Sequence, residues 1–224
     1  MAKPISIAID GPAGAGKSTI ARRLAKELGF YYVDTGAIYR TVAYFFDLWG
    51  VSPKDIDGIT RYIDELTIGI EYDDEGVQHM IMNGMDVTGD IRTPDLSQKA
   101  SLVSAHAIVR DLLLDMQREM AEKHNVIMDG RDIGTVVLPD AKIKIFLTAS
   151  AECRAKRRYE ELTEKGMDVV YDDILRDIET RDYNDSHREV APLKPARDAV
   201  LVDTSGETLE TSLERLLGVI EKRL

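Results

Sequence analysis

The chain has 224 residues, with 29 Lys and Arg against 40 Asp and Glu and a net charge of −11. That length can bury a sizeable core and fits one α/β domain with an inserted subdomain, while the acidic balance argues against wrapping a nucleic-acid backbone. The single cysteine, Cys153, cannot form an internal disulfide, and neither a secretory leader nor a run of transmembrane length is legible, so the expected location is the cytoplasm.

An apolar, β-branched run at residues 5–9 predicts a buried strand, and Gly11-Pro12-Ala13-Gly14-Ala15-Gly16-Lys17-Ser18 follows it directly. This is the GxxxxGK[ST] pattern of a phosphate-cradling loop. Its glycines let backbone N–H groups turn toward oxyanions, Lys17 reaches the terminal phosphates, and the Ser18 hydroxyl is a ligand for Mg²⁺. The strand before the motif and the helical pattern of residues 19–28 after it supply the required context, so the chain is expected to bind a nucleoside triphosphate.

Further strands are predicted at 30–33, 126–129, 142–147 and 199–203, alternating with helices, which implies a five-stranded parallel sheet covered on both faces. Ligands of such sheets bind at the carboxyl ends of strands, where Asp10, Asp34, Asp129 and Asp203 are expected, some of them as caps. Helices are predicted at 37–49 and at 95–123, the latter broken near His106. Between them, residues 66–84 carry the turn signals Asp73-Asp74-Glu75-Gly76 and Asn83-Gly84 and predict a small antiparallel meander. A basic helix with Arg154, Arg157 and Arg158 is broken at Glu164-Lys165-Gly166 and followed by a helix at 172–188 with Arg176, Arg181 and Arg188, a pair that suits a lid.

Phosphoryl transfer needs arginines at the reaction centre, and Arg40, Arg110 and Arg131 join the lid set as candidates. From the residues alone the reading is a phosphate-loop kinase of a small metabolite. A kinase of a hydroxylated acceptor such as shikimate or gluconate, with Asp34 as base, stays open, as does a nucleotide-dependent switch, although no guanine-reading Asn-Lys-x-Asp motif is present.

Asp34-Thr35-Gly36-Ala37-Ile38-Tyr39-Arg40, Gly130-Arg131-Asp132-Ile133-Gly134-Thr135-Val136-Val137, and Arg181-Asp182 through Asp185, Arg188 and Ala191-Pro192-Leu193 together closely resemble the bacterial cytidylate kinases, from first strand to last helix. The resemblance implies a nucleoside monophosphate kinase fold: one kinase domain over 1–224, a monophosphate-binding insert at 35–105 and a lid at 154–170. It implies transfer of the terminal phosphoryl group of ATP to CMP or dCMP with Mg²⁺, by a monomer without nucleic-acid or membrane partners. By the same resemblance Gly11, Pro12, Ala13, Gly14, Ala15, Gly16, Lys17, Ser18 and Thr19 hold ATP. Thr35, Arg40, Ser101, Arg110, Arg131, Asp132, Asp185 and Arg188 hold the monophosphate, with Asp132 and Ser101 at the cytosine and Asp185 and Arg188 at the sugar. Lys17, Arg131, Arg158 and Arg181 are the catalytic set, and Ser18 is the metal ligand.

Overall fold

The computed structural model describes residues 3–224. Strand β1 (Ser6–Asp10) leads through the glycine loop into α1 (Lys17–Leu28), then β2 (Tyr31–Asp34) and α2 (Thr35–Leu48). Between α2 and the next long helix come α3 (Ile56–Tyr62), a single 3₁₀ turn, and the inserted antiparallel strands β3 (Ile68–Tyr72), β4 (Gln78–Met82) and β5 (Met85–Asp86). Helices α4 (Pro94–Val103) and α5 (Ala107–Lys123) return the chain to β6 (Val126–Gly130), a π-helical turn (Ile133–Val137) and β7 (Ile143–Thr148). The hairpin of α6 (Ala151–Glu164) and α7 (Tyr171–His187) precedes β8 (Val200–Asp203) and α8 (Leu209–Glu221).

The main sheet is parallel, ordered β2-β6-β1-β7-β8. Its central strand is covered on both faces, so Ile7, Ala8 and Ile9 are all fully buried and the strand reads as a continuous apolar run. Alternation still sorts its side chains. Ile7, Ile9, Ile127, Ile145 and Leu147 pack with Ile20 and Leu24 of α1 and Leu216 and Ile220 of α8, whereas Ala8, Val33 and Met128 pack with α2, α4, α5 and the insert. The chain leaves β1 between β6 and β7, the switch point at which open α/β sheets bind ligands. No helix among the described residues is long and apolar enough to cross a membrane.

Local chemistry explains where the elements begin and end. Asp34 caps α2 by accepting from the Ala37 amide (2.8 Å), which starts that helix two residues before the sequence pattern predicts. The break between α4 and α5 falls where expected, with the His106 ring nitrogen 2.8 Å from the Pro53 carbonyl oxygen. The short α3 is too brief for a hydrophobic periodicity to announce; Asp55 starts it by accepting from the Gly58 amide (3.0 Å). The insert docks on the exposed edge of β2, where the Tyr72 hydroxyl donates to the Tyr32 carbonyl (2.8 Å) and the Asp34 amide donates to Gln78 Oε1 (2.7 Å).

Asp203 ends the parallel edge strand β8 on the same rim as the other three carboxylates, but it lies exposed and organises its own turn by accepting from the Ser205 amide (2.8 Å).

Two glycines in left-handed backbone have contrasting surroundings. A Cβ at Gly11 (φ +152°) would lie 1.9 Å from the Leu147 carbonyl oxygen, whereas one at Gly29 (φ +67°) would meet nothing within 4 Å. Gly29→Ala is expected to cost about 1 kcal/mol in urea unfolding, the strain of a left-handed alanine, and Gly11→Ala more than about 3 kcal/mol, because the backbone of β1 or β7 must move. Equal losses in the two variants would contradict this difference.

Candidate active site

The loop between β1 and α1 is shaped to receive an anion. Gly14 and Gly16 adopt φ of +76° and +86°, and Gly16 stands at the N-cap of α1 with no side chain over the helix end, leaving its first amides free to point outward. Loop carbonyls are drawn the other way: Lys17 Nζ donates to the Pro12 oxygen (2.8 Å) and Arg154 Nη1 to the Ala13 oxygen (2.9 Å). Lys17 is buried, and burial together with the charge of Arg131 lowers its pKa to about 7. A cleft of about 390 Å³ opens over this loop, lined by Gly14, Gly16, Lys17, Arg154, Arg157 and Arg158.

Beside the loop, Ser18 Oγ donates to one oxygen of Asp129 (2.8 Å) and the buried Tyr32 hydroxyl donates to the other (2.8 Å). Burial and then the charge of Asp34 push the Asp129 carboxyl upward, against the pull of Lys17. A hydroxyl and a carboxylate side by side are hard oxygen donors, and few in number, which fits Mg²⁺ completed by waters and phosphate oxygens. Of the other strand-end carboxylates, Asp34 caps α2 and pairs with Arg40 (3.1 Å), and Asp10 accepts from the Ile133 and Gly134 amides (2.7 Å each). Neither is a free base.

Across from the loop the predicted acceptor residues converge. Arg131 Nε donates to Asp185 (2.8 Å), whose other oxygen accepts from Ser101 (3.2 Å). Asp132 is buried between Arg110, to which it is tightly paired, and Arg188 (3.4 Å). The Arg110 guanidinium also lies 5.5 Å from the centre of the Tyr39 ring. Asp132 is thus tied to Arg110 and Arg188, and its neighbour Arg131 to Asp185.

Arg181 donates to the Ser97 carbonyl (3.3 Å), and burial followed by the charges of Arg131 and of Arg40 depresses its pKa, so Arg181 sits within the fields of two further guanidinium groups. Arg40 Nε and Arg181 Nε are buried and unpartnered among the described residues. Buried donors of this kind call for an anionic acceptor. Thr35 belongs to the site's frame: its hydroxyl donates to the Asp129 carbonyl (2.7 Å) and it is buried.

The arginines of α6 divide. Arg154 is 3 % exposed and holds the Ala149 and Ala13 carbonyls and Asp182, so it braces the loop against α7. Arg157 donates to the Thr204 carbonyl (2.7 Å). Arg158 is solvent-accessible, with a 2.8 Å contact to Glu161, and faces the cleft.

Asp129 and Tyr32 were legible in sequence only as a strand end and a strand residue. Their position against Ser18 follows from the pairing of β2 with β6, which sets Val33 against Met128 and Asp34 against Asp129. Tyr39 is likewise brought to Arg110 by the turn of α2.

The family model described as cytidylate kinase matches residues 7–222. Curated relatives named cytidylate kinase include one from Carboxydothermus hydrogenoformans, 51 % identical over 217 residues (97 % of both chains). One from Lactobacillus johnsonii is 48 % identical over 219 residues, covering 98 % of this chain and 95 % of the relative. One from Clostridium botulinum is 46 % identical over 218 residues, covering 97 % of this chain and 98 % of the relative. Among solved structures, an uncharacterized protein from Eubacterium ventriosum superimposes with a TM-score of 0.53 at 15 % identity, over 99 % of this chain and all of that one, a likeness of fold alone. With a match of that extent and relatives near half identity over almost their whole length, the chain belongs to the cytidylate kinase family.

Proposed function

We propose that the protein transfers the terminal phosphoryl group of ATP to CMP or dCMP, giving ADP and the diphosphate. The observation that carries this reading is the pair of buried, unpartnered guanidinium nitrogens on Arg40 and Arg181, both close enough to interact by charge, together with Arg131, which acts on Arg181 and on Lys17. One cationic group suits the donor phosphates and the other a second phosphate. The membership and names of the relatives add the cytosine base to that second phosphate.

Gly11 to Thr19 cradle the ATP phosphates, and the amides of the first turn of α1 and Lys17 compensate their charge. Ser18 and Asp129 would hold Mg²⁺, which when bound neutralises charge on the β- and γ-phosphates. Arg40, Arg131 and Arg181 grip the acceptor phosphate. Its oxygen is already an anion near neutral pH, so positioning and charge dispersal suffice and no base is required. A hydroxyl acceptor would need one, and Asp34, the candidate, is occupied by the α2 cap and Arg40. Asp132 and Ser101 read the base, with Asp132 accepting from the exocyclic amine of cytosine where uracil offers only a carbonyl. Asp185 and Arg188 face the sugar. Residues 35–105 form the acceptor-binding insert of the single kinase domain and 154–170 its lid, in which Arg158 completes, on closure, the charge clamp to which Arg181 of α7 belongs. The protein acts as a cytoplasmic monomer without nucleic-acid or membrane partners.

A coupled ADP-release assay over CMP, dCMP, UMP, AMP, GMP, shikimate and gluconate tests the reading. CMP and dCMP should lead the panel, and a hydroxylated metabolite at the top would overturn it.

Arg131→Lys keeps the charge but removes the planar fork, and kcat/KM for CMP is expected to fall by about 100-fold. Unchanged kinetics would reduce Arg131 to a point charge.

The depressed Lys17 pKa carries a sign. Burial and the charge of Arg131 disfavour the protonated form of Lys17, lowering its pKa to about 7, whereas adjacent phosphates favour that form, so ATP binding at pH 8 should take up a proton. Calorimetry at pH 8 in buffers of different ionisation enthalpy should show that uptake, and it should vanish both at pH 6 and in Lys17→Met. Uptake that persists in Lys17→Met would assign it to another group.

A further inference from the structure

The π-helical turn Ile133–Val137 begins immediately after the two residues that matter most on the acceptor side, Arg131 and Asp132. Asp132 occupies its N-cap position and is the residue type that ordinarily caps a helix, yet it makes no cap bond, because its carboxylate faces Arg110 and Arg188. The first amides of the turn are satisfied instead by a side chain 123 and 124 positions away. Asp10 Oδ1 accepts from the Ile133 amide and Oδ2 from the Gly134 amide, both at 2.7 Å.

Asp10 is 3 % exposed and forms no ion pair among the described residues. Its carboxylate therefore rests on those two amides, and burial outweighs them enough to raise its pKa to about 6. The ladder pairs Asp10 with Gly130 across parallel strands β1 and β6. The segment Arg131-Asp132 is thereby held at both ends, by the ladder at Gly130 and by Asp10 at Ile133 and Gly134. The same residue precedes Gly11, where the phosphate loop starts.

We propose that Asp10 is a positioning residue: by capping the turn in place of Asp132 it frees the Asp132 carboxylate to face the cytosine and fixes Arg131 on the acceptor phosphate. Without this cap, Asp132 at the N-cap position is placed to take it over, and turning inward would take it off Arg110, Arg188 and the base. Asp10 thus governs acceptor binding and base selectivity without touching the acceptor, and rests on the function proposed above.

The test is Asp10→Asn, which is close to isosteric, keeps one acceptor and sets an amide group against the second N–H. Asp10→Ser, which retains a single acceptor, is the companion variant. ATP affinity, measured by calorimetry without acceptor, should stay within about twofold, whereas KM for CMP should rise by about 10-fold or more and the CMP-to-UMP ratio of kcat/KM should fall toward unity. In Asp10→Asn/Asp132→Asn the selectivity loss should not exceed that of Asp132→Asn alone, because both act through one carboxylate. A lowered melting temperature with KM for CMP and the selectivity ratio unchanged would make Asp10 a stability residue and overturn the proposal, as would failure of both Asp10 variants to fold. A parent enzyme that does not phosphorylate CMP would refute the underlying function instead, so the two failures are distinct.

Discussion

Two parallel strands running side by side through the middle of the sheet set the distance on which everything else in this molecule depends. The ladder of β1 with β6 brings Asp10 level with Gly130, so the loop that cradles one phosphate and the loop that carries Arg131 and Asp132 leave the sheet as neighbours. Their separation follows from the spacing of paired strands, about 4.8 Å, rather than from any flexible contact. A site that must hold two phosphates in line gains its precision from the stiffest part of the protein, whose strand residues Ile7, Ile9, Ile127 and Met128 are fully buried.

Around that frame, burial makes each charge dependent on a partner. Asp132 with Arg110 and Arg188, Asp185 with Arg131 and Ser101, and Asp34 with Arg40 form a chain of charge-assisted contacts across the acceptor side. The compensation is incomplete at Arg40 and Arg181, each with a buried, unpartnered Nε. An acidic protein of net charge −11 can thus offer a strongly cationic pocket, because the arginines that face inward are more numerous there than the carboxylates able to pair with them.

The insert and the α6–α7 hairpin are attached differently. The insert shares a hydrophobic cluster with the core through Phe45, Phe46, Met80 and Ile91, and clips to the edge of β2 through Tyr72 and Gln78. The α6–α7 hairpin is anchored at one end by the buried Arg154, while its turn near Gly166 and the accessible Arg158 stand in solvent. Among the described residues, the contacts of the hairpin with the body of the protein are thus concentrated at its Arg154 end and absent from its turn.

Much of this was determined by residue order alone. The phosphate loop, the five parallel strands, the meander and the interruption at His106 all follow from local rules, because glycine conformations, β-branched runs and turn residues act over a few positions. The family motifs likewise name Arg131, Asp132, Asp185 and Arg188 without reference to three dimensions. What only the tertiary structure decided is the assignment of partners. Four strand-end aspartates look alike in the chain; Asp34 became a helix cap, Asp10 a cap for a distant turn, Asp203 a surface turn former, and Asp129 alone met Ser18. Six lid and helix arginines also look alike, yet Arg154 became a brace and Arg181 a group with an unsatisfied donor. The reason is physical: what a charged side chain does depends on its burial and its nearest opposite charge, and both are set by contacts between residues about a hundred positions apart, such as Ser18 with Asp129, separated by 111.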